Sequence, residues 1–107
     1  MPDIELRRQV GGKIYDTQTA KFITTLVYRI DGDNWNNEYT QLFITKRGAF
    51  FIAGYGGSMS RWKRKARDGN GWVAGDGLTP IDVHEARRLM EEFSPDIAEY
   101  YFCNTEA

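Results

Sequence analysis

Apolar residues concentrate into the clearest hairpin of this chain between positions 39 and 54, where YTQLFIT and AFFIAG flank KRG. A period of two sends successive side chains to opposite faces of a strand, and a short loop with Gly48 at its left-handed position joins two such strands into a hairpin. These strands are expected to be central in an antiparallel sheet. Upstream, FITTLVYRI (22–30) sets Leu26, Tyr28 and Ile30 against Thr25, Val27 and Arg29 and is rich in β-branched residues, which predicts another strand. IELRRQV (4–10) and KIY (13–15) flank Gly11 and Gly12, a pair suited to a two-residue hairpin turn. In YDTQTAKFI, Asp16 is expected to cap a single helical turn holding Thr17 to Lys21. DGDNWNN (31–37) concentrates turn formers and leaves Trp35 either exposed or folded back over the sheet.

The period changes near the C-terminus. In TPIDVHEARRLMEEF, Val83, Ala86, Leu89, Met90 and Phe93 fall on one helical face, and Asp82 and Glu85 have capping-box spacing. Ser94 then caps a second helix with Pro95 at its first position and Asp96 and Glu99 near its positive end, so that Ile97, Tyr100 and Tyr101 turn toward the core. Between Gly54 and Thr79 neither period persists, and that stretch is expected to be a long, mobile, glycine-rich basic loop. The predicted fold is α+β, an antiparallel meander of four to five strands with C-terminal helices packed on one face, in a single domain spanning 1–107.

Composition narrows the classes. A chain of 107 residues, 41% hydrophobic, buries roughly two thirds of its unfolded surface, enough for one ordinary core. No apolar run approaches the roughly 18 to 20 residues of a spanning helix, and MPDIELRRQV lacks the apolar centre of a signal peptide, so a cytoplasmic protein without a membrane partner is expected. One cysteine, Cys103, forms no internal disulfide and is read as a half-buried helix residue; with a single histidine it excludes a Cys/His metal cluster. The net charge of -1 hides polarity: residues 1–57 carry seven basic and six acidic side chains, residues 58–80 five and two, and residues 81–107 two and seven. Such asymmetry marks either a charged partner or a complement between a loop and a helix of the same molecule.

Catalytic signatures are missing. His84 stands on the helix beside the apolar stripe with no orienting partner in the pattern, and reads as a surface histidine. Ser58 and Ser60 lack the strand, elbow and helix of a nucleophile site. GYGGSMS is not followed by G-K-[ST], and Asp31, Asp33, Asp68 and Asp76 lack calcium-loop spacing. No cofactor or metal is therefore expected, and the protein reads as no enzyme. The chemistry that does stand out is SRWKRKAR. Arg61, Lys63, Arg64, Lys65 and Arg67 lie within seven residues, with Trp62 among them and Tyr55 and Trp72 nearby. Cations release counterions from phosphates and aromatic faces stack on bases, so the mixture suits nucleic acid or an acidic nucleoprotein groove. The competing reading folds Trp62 and Trp72 back onto the sheet and leaves a solvated loop offset by acidic helices.

IYDTQTAKFI, LFITKRGAFFIAGYGGSMSRW and TPIDVHEARRLMEEF resemble a pattern in small proteins of bacteria, phages and mobile elements, in which a YDTxTA segment precedes an LYxTxxGxFFLxGxGG hairpin and a short acidic helix. Proteins of this look include anti-CRISPR proteins. The resemblance, over most of residues 12–93, implies a non-enzymatic accessory protein that inhibits a nucleic-acid-guided host defence complex, or another protein, by occupying its surface. It supplies no catalytic residue, and the basic strip from Arg61 to Arg67 departs from it. Two further readings stand beside it. One is a regulatory module that binds nucleic acid through the basic aromatic loop. The other is DNA mimicry by Glu85, Glu91, Glu92, Asp96 and Glu99 on the helical end.

Overall fold

A continuous apolar run such as AFFIAG requires cover on both faces of its strand, and the fold supplies it. The computed structural model describes residues 4–30 and 35–102. Strands β1 (Arg7–Val10) and β2 (Lys13–Asp16) pair across the Gly11–Gly12 turn as a small hairpin. Strands β3 (Lys21–Arg29), β4 (Glu38–Ile44), β5 (Phe50–Gly56) and β8 (Gly75–Ile81) form an antiparallel sheet in that order, and β6 (Arg64–Lys65) and β7 (Trp72–Val73) form a two-stranded sheet of their own. Helices α1 (Val83–Phe93) and α2 (Pro95–Tyr101) close the chain, so the α+β class and the C-terminal helical pair stand.

The interior strands β4 and β5 are buried on both faces. Leu42, Phe50 and Ile52 join Ala86, Leu89, Met90 and Ala98 on the helical side, while Tyr39, Phe43, Phe51 and Ala53 join Ile4, Leu6 and Tyr15 on the other. Gly48 closes the β4–β5 loop at φ +89°. Phe43 stacks on Phe51 with centroids 5.1 Å apart, and Tyr15 meets Phe51 edge-on at 5.6 Å. Thr17 fastens the N-terminal segment to this second face: its buried hydroxyl donates to the Ile4 carbonyl at 2.8 Å and accepts from the Leu6 N–H at 3.0 Å. Asp16, the last residue of β2, does accept from the Gln18 N–H at 2.8 Å, but the segment it closes is a turn over 17–20 rather than a helical turn, and Lys21 already begins β3.

Four further expectations are corrected. In β3, register shifts between Phe22 and Thr24 and between Thr25 and Val27 each insert one residue, so the alternation of Leu26, Tyr28 and Ile30 does not hold. A bulge flips the phase of the strand. Leu26 therefore packs under the helices, whereas Tyr28 meets Tyr39 on the opposite face and Ile30 is exposed. Second, 54–79 is not one long loop: β5 runs to Gly56, β6 and β7 pair, and β8 supplies the fourth strand of the main sheet. Glycines replace apolar residues where another group crosses the sheet, which erases the period that marks a strand. Third, Val83 and Phe93 at the ends of the α1 stripe are about half exposed, and in α2 Tyr100 is 77% exposed while Ile97 and Tyr101 pack on the core. Fourth, Ser94 makes no side-chain cap; its hydroxyl instead pairs with that of Thr24 at 2.8 Å, tying the helices to β3. Asp82 does cap α1, accepting from the Glu85 N–H at 2.8 Å. Cys103, Asp31 and Asp33 lie outside the described residues.

Candidate functional site

The basic stretch begins with an anchor. A turn at 57–60 is closed by the Ser60 hydroxyl donating to the Gly57 carbonyl at 2.8 Å, and the same oxygen accepts from the Trp62 N–H at 3.2 Å. This drops the indole of Trp62 onto the sheet, 7% exposed, across two glycines. A Cβ at Gly77 would stand 2.7 Å from Cε3 of the ring, and one at Gly54 2.5 Å from Nε1, so only glycine lets the ring lie so close. Its Nε1–H donates to the Thr40 hydroxyl at 2.9 Å, which donates to Glu38 Oε2 at 2.9 Å. Glu38 is 6% exposed; its other oxygen accepts from the Arg61 N–H at 3.3 Å, and the Arg61 guanidinium pairs with it at 3.4 Å. A buried carboxylate must be paired, and here it is.

Trp62 is thus removed from the stacking surface expected of it, and Arg61 is largely committed to Glu38. Of the two tryptophans in the stretch, Trp62 folds back onto the sheet and Trp72 stays half open. Glu38 and Thr40 were not legible as partners, although a glutamate and a threonine at inward positions of EYTQLFI are the signal that a polar group awaits them.

Beyond the anchor the chain forms hairpin β6–β7, in which Lys65 stands opposite Trp72 and Arg64 opposite Val73. Opposed residues share a face, as do residues two apart, so Lys63, Lys65 and Trp72 line one face and Arg64 and Val73 the other. Lys63 Nζ lies 5.0 Å from the Trp72 ring centroid, a cation–π contact, and Trp72 is 52% exposed. Arg67 lies in the connecting turn, where Asp68 accepts from the Asn70 N–H at 2.9 Å. Among the described residues, Lys63, Arg64, Lys65 and Arg67 form no ion pair. Four uncompensated cations on one short hairpin, with Lys63 and Lys65 on the face of the half-exposed indole, attract anions.

Tyr55 does not join them. It sits on the opposite face of the sheet against Tyr39, with centroids 5.5 Å apart, and shares only a shallow pocket with Arg64 and Asp76. Burial, then the neighbouring Tyr39 and Tyr28, push its phenol above the usual tyrosine range. Asp76 pairs with Arg8 at 3.1 Å. On the acidic side, Arg88 bridges Glu85 at 2.5 Å and Glu92 at 3.1 Å. The hydrogen bond from Arg88 holds the Glu85 carboxyl below its usual range. Among the described residues Glu91, Asp96 and Glu99 form no ion pair. His84 is exposed on α1, Ser58 is half-buried, and the Ser60 hydroxyl is spent in its turn.

Among the described residues no three histidine, cysteine or carboxylate side chains gather to hold a metal, and no helix is long and apolar enough to cross a membrane. No protein-family model, curated protein or solved structure matches the chain.

Proposed function

We propose that this protein is a non-enzymatic binding module that holds single-stranded nucleic acid on hairpin β6–β7, with Lys63, Arg64, Lys65 and Arg67 on phosphates and Trp72 stacked against a base. One observation carries the reading: among the described residues four cations of one hairpin form no ion pair, two of them, Lys63 and Lys65, on the face of an indole half open to solvent, and Trp62 pins that hairpin to the sheet. Pinning lowers the ordering entropy lost on binding. A flat ring accepts any unstacked base, which favours single strands over duplex.

The inhibitory role implied by the sequence resemblance would use the same hairpin, set against the guide or target strand of a defence nucleoprotein complex, in the cytoplasm and without turnover. Mimicry of DNA by the acidic helices is less favoured, because Arg88 already offsets Glu85 and Glu92.

The test is a salt titration of labelled single-stranded and double-stranded DNA and RNA, with the protein and with its K63A/R64A/K65A/R67A variant. Four phosphate contacts give a log-log slope of about -3 on single strands. Binding lost in the variant supports the reading; an affinity indifferent to salt, or equal in the variant, refutes it. Trp72→Ala should weaken single-strand binding by about 1–3 kcal/mol.

A further inference from the structure

Two stretches distant in sequence meet at the other end of the sheet. The β4–β5 turn lies beyond Ile44 and Phe50, whereas hairpin β6–β7 follows the end at Glu38 and Gly56. There β2, the turn after it and the β4–β5 turn enclose a cleft of about 500 Å³. Lys13, Lys46 and Arg47 line it, and among the described residues none of the three forms an ion pair. The carboxylate in its lining, Asp16, is already engaged by the Arg7 guanidinium at 3.6 Å and the Gln18 N–H at 2.8 Å. Three exposed cations with no ion pair among the described residues outweigh the single, already engaged carboxylate of the lining, so the cleft draws an anion.

A hydroxyl completes the chemistry. Thr45 Oγ1 accepts from the Ala49 N–H at 3.0 Å, which leaves its own proton free to donate into the cleft. Thr19 lines the same space. Ile14, Tyr15 and Ala49 add carbon surface. The volume exceeds what a bare anion fills and lies in the range of small-molecule sites. Thr19 already donates its hydroxyl to the Asp16 carbonyl at 3.4 Å, so an arginine fork, two lysines and the Thr45 hydroxyl remain, a set that suits a phosphate dianion better than a single carboxylate.

We infer that this cleft binds a small organic phosphate of about nucleotide size, through Lys13, Lys46, Arg47 and Thr45, independently of hairpin β6–β7. The test is an amide chemical-shift titration of the full chain with AMP, adenosine and inorganic phosphate, repeated on the K46A/R47A variant. Both substituted side chains are exposed turn residues and Gly48 is retained, so the fold survives the change. Expected are saturable AMP shifts at residues 12–16 and 45–49, weaker shifts with inorganic phosphate, none with adenosine, and an affinity lowered about tenfold or more in the variant. Four results would overturn the assignment: no shift at these amides at millimolar AMP, equal shifts with adenosine, unchanged affinity in the variant, or shifts confined to 61–73. The last would leave the hairpin reading standing, and cleft shifts without hairpin binding would do the reverse.

Discussion

Trp62 decides how the basic stretch is held. Its ring is buried over Gly54 and Gly77, and its N–H begins a chain of polar contacts through Thr40 and Glu38 to Arg61. Trp62→Ala should cost about 3–5 kcal/mol in urea denaturation, a large share of the roughly 5–15 kcal/mol available to a small domain. Trp62→Phe keeps most of the ring but leaves the Thr40 hydroxyl without its donor, with an expected loss of about 1–3 kcal/mol. Gly77→Ala should fall in a similar range, since the ring must shift to admit a Cβ. Gly54→Ala should be worse, because its Cβ would overlap the backbone oxygen of Tyr39, which cannot swing away. If Gly77→Ala proved neutral, the ring would not lie where it is placed. The sequence offered Trp62 and Trp72 the same two readings, stacking on a base or folding back onto the sheet, and did not separate them. What separates them is a partner surface formed by strands remote in sequence, and local pattern carries no record of that.

Elements whose stabilising contacts are local were readable, and those that depend on distant partners were not. The β4–β5 hairpin announces itself through two apolar, aromatic-rich runs flanking Gly48, and α1 through its stripe and Asp82. Strand β8 was hidden because two of its helix-side positions are glycines and Pro80 looks like a breaker. Proline is tolerated there because β8 is an edge strand, paired on one side only with β5. Helix α1 yields two predictions. Asp82→Ala should cost about 1 kcal/mol, read by thermal or urea unfolding. Glu85, whose carboxyl is held low by Arg88, gains its stabilisation above the ordinary carboxylate range and loses it as pH falls through the lowered pKa. A side-chain carboxyl NMR titration should place Glu85 below that range and return it there in Arg88→Ala; an unchanged Glu85 titration would remove Arg88 as the cause.

Across the whole molecule, charge is divided between a basic hairpin and acidic helices, which act on a charged ligand in opposite senses. Residues 81–107 carry seven acids against two bases, and Arg88 offsets only Glu85 and Glu92. A strand held on β6–β7 therefore feels repulsion from Glu91, Asp96 and Glu99, unless these acids are themselves the contact surface. The two cases separate in the E91Q/D96N/E99Q variant. With the hairpin as contact, binding to single strands should strengthen severalfold near ~0.02 M salt and match the parent near ~0.3 M, because the Debye length shrinks to a few ångströms. With the acids as contact, the variant would gain nothing toward nucleic acid and would lose its hold on any basic partner groove, whereas the hairpin variant would keep it. The K63A/R64A/K65A/R67A variant moves the opposite way in each case. Measured side by side over the same salt series, the two variants assign the contact surface whatever the partner is, since screening weakens attraction at one end and repulsion at the other.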